Sequence, residues 1–418
     1  MKQKRLLLLG GINLAQDIVN AAKEIGVEIY VTDYFADSPA KKIADKSFMV
    51  NAFDVDAVVE LCKEQQIDGV ISGYVDPLMA YCSKTSSRLN LPNFYTLEQI
   101  DKTSNKNNFS TLCESFDIPV AKRYTVRKES LQDDVKQLEY PVILKPADAS
   151  GGKGVKICKD DAALLNAFDG SISFSTVGEV IVERYIKGPE ATIFYLFQDG
   201  NVHLTAVSNR YIRQDQDTEI PLPVAYCMPS NLTQSYLDTI NPKMISLLKH
   251  LNVKNGMAFI QCKLADDTFY FYDIGLRLTG SREYKLLEKT CGFNPLKMMI
   301  NYAVSGKMSD KDITPLVNPL PNLVSGNLTI LCKPGKIDKI CGIDEIREFE
   351  CVSDLHQSYF AGDEIVEKSI GTLAQVVVRV MFVCNSRIQL AQAMDIVISK
   401  IEVISDEGKN LLLPAFDT

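Results

Sequence analysis

Apolar and polar positions follow two different periods along the first hundred residues. The stretch "RLLLLGGINLAQDIVNAAKEIGVEIYVTDYF" opens on an unbroken apolar run and breaks at two glycines. It then places Ile18, Ala21, Ala22 and Ile25 at helical spacing. Gly26 follows the last of these, where a left-handed residue closes a helix. A second apolar run comes next, so the pattern predicts strand, turn, helix, strand. "DVDAVVELCKEQQIDGVISGY" repeats the helix–strand unit, and residues 1–97 are expected to form a small parallel α/β domain. The basic start "MKQKRLLLLGG" imitates a signal peptide, but its apolar run is too short and reads as the first strand.

Beyond this domain the period changes several times. Residues 98–120 read as linker helices. Residues 121–186 read as strands around one helix, "KDDAALLNAFDG". Residues 187–318 begin with strands and end with helices, and 319–418 mix short strands with one helix near "SRIQLAQAMDIVISKIEVI". The segments "GMAFIQCKL" and "TFYFYDIG" alternate with period two. Paired across a turn near Asp267, they set Gln261 opposite Asp273, 263 opposite 271 and 265 opposite 269. Ala258, Ile260, Cys262 and Leu264 then face a core. His203 sits in another hairpin, beside "QDGN", and is expected at the surface. The polar segment 208–223 shows little periodicity.

Composition narrows the class. The chain has 418 residues, of which 46% are hydrophobic and 23% charged, as in ordinary globular proteins. Its net charge of −8 argues against nucleic acid as a partner. No stretch approaches the ~20 apolar residues of a membrane span. Eleven cysteines are scattered, mostly inside apolar runs and never as C-x-x-C, which points to reduced thiols and a cytoplasmic location. Three distant histidines, His203, His250 and His356, suggest neither a zinc site nor a nucleophile–histidine pair.

The chemistry concentrates in "ILKPADASGGKGVKI". Lys145 ends an apolar run. Ser150, Gly151, Gly152, Lys153 and Gly154 follow in a loop where backbone N–H groups can approach a phosphate closely and lysine adds a point charge. The spacing is not that of a Walker A loop. At the first turn, Gly10 and Gly11 with Asp33 at the end of strand two weakly imitate a dinucleotide fingerprint without its glycine spacing.

The order of further features carries a resemblance. Lys106 in "DKTSNKNNF" precedes Lys145 and the glycine loop; "EVIVERYIKGPEATIF" follows, then "GMAFIQCKLADDTFYFYDIGLRLTGS". This order resembles the ATP-grasp superfamily, and in particular the carbamoyl-phosphate-synthase-like proteins, L-amino-acid ligases and purine-pathway carboxylate–amine ligases. The resemblance implies a mixed α/β and α+β fold: a parallel N-terminal domain, a mobile lid at 121–186, a central domain at 187–318 with the metal site, and a C-terminal mixed lobe. It implies an ADP-forming ligase that joins a small carboxylate to an amine through an acyl phosphate, with ATP and Mg²⁺ (or Mn²⁺), and it allows a homodimer. Lys106 and Lys145 correspond to the lysines on the phosphates, and Ser150 to Gly154 to the flap. Glu183, Arg184, Tyr185 and Ile186 correspond to the adenine-reading hinge, and Glu190 to the ribose carboxylate. Asp273 and Gln261 correspond to the metal ligands, and Arg277 to the arginine at the acyl phosphate, with Arg210 a further candidate at the γ-phosphate. The chain departs from the family where Gln261 replaces an acid, Asp273 is shorter than glutamate and Gly275 stands in place of asparagine. Those departures keep two alternatives open: an ATP-binding regulator without turnover, and phosphorylation of a small acid.

Overall fold

The computed structural model describes residues 3–149, 154–213 and 222–414. The N-terminal sheet is parallel throughout, with β1 (Arg5–Leu9), β2 (Glu28–Thr32), β3 (Lys46–Phe48) and β4 (Gly69–Ile71) in the order β3-β2-β1-β4. Leu6 to Leu9 are completely buried, which explains an apolar run without alternation: helices cover both faces of a parallel sheet. The first helix is Gln16–Glu24, and Gly26 (φ 76°) terminates it as expected. Ile18, Ala21 and Ala22 are buried, whereas Ile25 lies past the helix end and is exposed.

Four short strands form the second sheet: β5 (Arg123–Tyr124), β6 (Val142–Pro146), β7 (Lys156–Cys158) and β8 (Val180–Arg184), antiparallel in the order β5-β8-β6-β7. The helix Asp161–Ile172 packs Leu164 and Phe168 onto it.

The third sheet is the largest. It takes β9 (Glu190–Gln198), β10 (Asn201–Arg213), β11 (Leu222–Met228), β12 (Gly256–Ala265), β13 (Thr268–Gly275) and β14 (Val324–Leu331). After β15 (Gly335–Cys341) come β16 (Val352–Gln357), β17 (Glu364–Ile365), β18 (Val376–Cys384) and β19 (Glu402–Ser405). The eight-stranded order is β13-β12-β9-β10-β11-β14-β18-β16, and β17-β15-β19 make a small separate sheet. The large sheet therefore continues across residue 319, with three of its strands drawn from the last hundred residues. His203 lies inside the β9–β10 hairpin and is buried, contrary to its expected surface position.

The β12–β13 hairpin confirms part of the expected register and corrects the rest. Gln261 does pair with Asp273. An irregularity then intervenes, so Cys262 opposes Phe271, Lys263 opposes Tyr270 and Ala265 opposes Thr268. The extra residue of a β-bulge is Tyr272. The turn is a two-residue one, with Asp266 (φ 48°) and Asp267 (φ 56°) both left-handed, as a tight hairpin demands.

Polar contacts fasten the N-terminal region to the rest of the chain. Past Gly275 the chain leaves β12, so the edge of Met257 has no strand beside it. The Tyr95 hydroxyl fills that place, accepting from Met257 N and donating to Met257 O, both at 2.9 Å. Gly256 is required here, because a Cβ would lie 2.3 Å from the Tyr95 oxygen. Elsewhere Asp17 of the first helix meets Arg282 Nε at 3.2 Å and accepts from the Tyr284 hydroxyl, and Tyr74 donates to Tyr284 at 2.8 Å. Replacing Tyr95 by Phe should leave both Met257 backbone groups unsatisfied. The expected loss is about 1–3 kcal/mol in a denaturant titration, with the fold unchanged by circular dichroism.

Candidate functional site

One cavity of about 660 Å³ lies between the four-stranded and eight-stranded sheets. Strand register explains which side chains reach it. Lys263 on β12 stands opposite Glu190 on β9, which stands opposite Arg210 on β10, which stands opposite Tyr226 on β11. A cross-strand row points to one face, so all four side chains line the cavity. Two residues further along the strands, Asp273, Gln261 and Thr192 form a second row, and Gly275 and Phe259 begin a third.

The first row is tightly knit. The Glu190 carboxylate accepts from Arg210 and from the Tyr272 hydroxyl at 3.2 Å, and lies 3.3 Å from Lys263 Nζ. Its side chain is 4% exposed. Lys263 also stands over the ring of Tyr185, 4.6 Å from its centroid. Burial opposes the charge on Arg210, but the neighbouring Tyr226, Tyr272 and Glu190 more than compensate and hold its pKa above the ordinary arginine value.

The opposite wall comes from the four-stranded sheet. Lys145 on β6 and Glu183 on β8 are diagonal cross-strand neighbours and form an ion pair of 2.6 Å with both side chains nearly inaccessible. This pairing was not legible in the sequence, because the partners lie 38 residues apart. Arg184, Tyr185 and Ile186 follow Glu183 along the cavity wall. Ile143 and Ile157, a cross-strand pair on β6 and β7, add an apolar wall. Lys106 opens the helix Lys106–Ser115 behind an Asn105 cap. Its ammonium donates to Ala149 O at 2.6 Å, at the threshold of the glycine loop. Asp148 clasps that threshold from the other side, accepting from Ser175 Oγ at 2.7 Å and Thr176 N at 3.0 Å. Ser150, Gly151, Gly152 and Lys153 lie outside the described residues, as do 214–221 of the polar segment. Gly154 has φ 72°, a conformation that favours glycine.

The floor holds the remaining candidates. Neither the Asp273 carboxylate nor the Gln261 amide makes a hydrogen bond among the described residues. Burial pushes the Asp273 pKa up; Lys106 nearby pulls it back, Asp76 pushes it up further, and burial prevails. The same burial pushes the Lys106 pKa down, against the pull of Asp273. Arg277 grips Asp76 with two nitrogens, Nε and Nη2, the latter at 2.9 Å, and Asp76 opens the helix Asp76–Leu89 of the N-terminal domain. The guanidinium also rests 4.9 Å from the Phe259 ring centroid. The pairing of Asp76 with Arg277 and the place of Phe259 beneath it were not legible in the sequence. Asp76 carries only a weak signal, an acid in the first turn of a helix that follows a strand.

Gly275 has a physical reason to be glycine. A Cβ there would meet the Phe259 ring at 2.2 Å. The ring that carries Arg277 occupies the space where an asparagine side chain would stand. At the first turn, Gly11 N donates to Asp33 at 2.7 Å, and a Gly11 Cβ would lie 2.6 Å from Ser38 Cβ. That turn is closed on itself, so its amide does not face a dinucleotide phosphate.

Gly275→Asn alone should clash with Phe259 and lower stability by about 1–3 kcal/mol. Gly275→Asn with Phe259→Ala should recover part of that loss, since the second change removes the ring. Paired thermal melts of the single and double variants measure this coupling, and strict additivity would refute it.

Residues 105–311 match the family model described as carbamoyl-phosphate synthase L chain, ATP binding domain. Formate-dependent phosphoribosylglycinamide formyltransferase of Prochlorococcus marinus is 27% identical over 189 residues, 44% of this chain and 48% of that protein. The chain thus matches about half the length of this curated relative. Among solved structures, L-amino acid ligase from Bacillus licheniformis superimposes with a TM-score of 0.79 at 19% identity, covering 97% of this chain and 100% of that one. The biotin carboxylase domain of 2-oxoglutarate carboxylase from Hydrogenobacter thermophilus, solved with MgADP and bicarbonate, gives a TM-score of 0.79 at 16% identity over 98% of this chain and 91% of that one. Residues 105–311, which build most of the cavity, thus match an ATP-binding family model, and nearly the whole chain shares the fold of these ligase and carboxylase structures.

Proposed function

We propose that the protein is an ADP-forming ligase that joins a small carboxylate to an amine at the expense of ATP. The observation that carries this reading is the convergence of Lys106, Lys145, Asp273 and Arg277, from separate elements, on one cavity. In this reading the adenine lies against Ile143 and Ile157, with its edge against the backbone of Glu183 to Ile186. Lys145 is held rigid by Glu183, which lets it meet phosphate oxygens at little entropic cost. Lys106 lies at the entrance of the glycine loop, and we assign both lysines to the phosphates and Ser150 to Gly154 to the flap. Glu190 acts at the ribose side and holds Arg210 and Lys263 in place.

The residues also fit a hard divalent cation. Among the described residues Asp273 is a half-buried carboxylate without a hydrogen-bond donor, Gln261 opposite it offers an amide oxygen, and the Thr192 hydroxyl in the same row has no partner. Asp273 and Gln261 would hold Mg²⁺, and the bound ion neutralises phosphate charge. The chain's own residues do the rest. The substrate carboxylate oxygen attacks the γ-phosphorus and ADP leaves. The amine then attacks the acyl carbon, phosphate departs, and the amine loses its proton. Arg277 lies where charge develops on the acyl phosphate, and its contact with Asp76 fixes its direction. Water exclusion falls to the four-stranded sheet acting as a lid.

Lys145→Ala should weaken affinity for a non-hydrolysable ATP analogue by about tenfold or more in calorimetry, since a charge-assisted contact is worth about 1.5–3 kcal/mol. Unchanged affinity would refute the phosphate assignment. Asp273→Asn separates stability from function. With its pKa raised in the folded state, the carboxylate adds no penalty at low pH. It destabilises the fold as pH rises above the unfolded-state pKa, where only the unfolded chain ionises freely, and the penalty is complete above the folded pKa. The variant should therefore melt higher than the wild type at pH 7 without metal, yet lose the Mg²⁺ dependence of nucleotide binding. A metal titration that matches wild type would overturn the ligand assignment, and ADP release with pooled acids and amines tests turnover itself.

A further inference from the structure

The cavity has a second cationic end that nucleotide binding does not use. Arg379, on β18, lines it beside Thr279, Gly280 and Leu373. Its Nη1 donates to Gly280 O, and its Nε donates to Thr329 Oγ1 at 3.2 Å. Among the described residues it has no carboxylate partner. The acids around it are already engaged. Arg277 holds Asp76, and Lys285 lies 2.5 Å from Asp354. Arg282 and the Tyr284 hydroxyl share Asp17. Glu283 accepts from Thr279 and Ser281.

The surroundings heighten the imbalance. Arg282 is 1% exposed, and neither its Nε nor its Nη1 completes a hydrogen bond. Burial first, and repulsion from Arg282 second, push the Arg379 pKa down to about 10, so its guanidinium remains charged at neutral pH. His356, in register with Arg379 on β16, offers no relief. Burial and Arg282 push its pKa down to about 4, so it is neutral. A half-buried cation without a counter-charge is an unfavourable arrangement unless a ligand completes it.

We propose that Arg379 receives a second anionic group of the acid substrate, a carboxylate or a phosphate, while the carboxyl to be activated lies at Arg277. The substrate class is thus a small acid carrying at least two anionic groups. This rests on the ligase reading and deepens it. Geometry limits the size of the molecule: Gly280, which Arg379 touches, lies three residues from Arg277, at most about 10 Å of extended chain. The guanidinium fork suits either oxyanion, since both accept paired N–H donors.

The test measures binding to the full chain by calorimetry, with and without a non-hydrolysable ATP analogue and Mg²⁺. The probes are succinate, phosphoglycolate and butyrate. Succinate or phosphoglycolate should bind at least tenfold more tightly than butyrate, and whichever is preferred identifies the second group. Arg379→Gln should abolish that preference, and Arg379→Lys should retain part of it, both with unchanged nucleotide affinity. Equal binding of butyrate, no binding of either dianion, or a preference that survives Arg379→Gln would overturn the proposal. A wild-type chain that fails to bind the nucleotide analogue would instead overturn the ligase reading. Retained nucleotide affinity in either variant shows that the fold has survived.

Discussion

The ion pair between Asp76 and Arg277 is the contact on which the arrangement of the cavity depends. Its two partners belong to elements 201 residues apart. Arg277 reaches Asp76 only because the chain leaves β12 after Gly275, and it is supported from below by Phe259. Breaking a largely buried pair of this kind is costly mainly because it strands a charge. The contact therefore fixes the N-terminal domain against the sheet at the point where the candidate reaction takes place. Tyr95 and Asp17 reinforce the same junction at two other positions.

The electrostatics of the cavity follow from the sheet. Lysines 106 and 145 lie near an Asp273 that no hydrogen bond engages among the described residues, whereas Glu190 is saturated by Arg210, Lys263 and Tyr272. Charges that are already paired stiffen the walls, and charges left partly unpaired define where a ligand must supply the opposite sign. By that criterion the empty partnerships lie at Asp273, which calls for a cation, and at Arg379, which calls for an anion.

Much of this was legible in the chain, and the reasons are physical. The parallel N-terminal domain could be read because buried strands give continuous apolar runs and Gly26 marks a helix end. The Gln261–Asp273 pairing could be read from two alternating segments about a turn near Asp267, and it holds because the bulge at Tyr272 offsets the shift introduced by the two-residue turn. The remainder of that register could not, because a single extra residue at Tyr272 leaves no mark on the apolar pattern. Likewise Lys145 was visible as a strand-end lysine, while its partner Glu183 became apparent only once β8 was laid beside β6. Arg379 looked like one charge in the strand "VVVRVMFV", and nothing local tells such a residue from an edge position. Glu283 and Asp17 were hidden in the same way, by partners distant in sequence.

The continuation of the large sheet across residue 319 has a consequence for how the chain is made. β11 ends at Met228, and its outer neighbour β14 begins at Val324, about a hundred residues later. At roughly 5–20 residues per second, a nascent chain carries the open edge of β11 for about 5–20 s before its partner exists. The N-terminal sheet and the four-stranded sheet can close within that interval, since their strands are complete by residue 184. The central sheet cannot. Its unpaired edge is the segment for which a ribosome-bound chaperone has the longest opportunity, and a chain ending near residue 318 would keep that edge exposed for its whole lifetime.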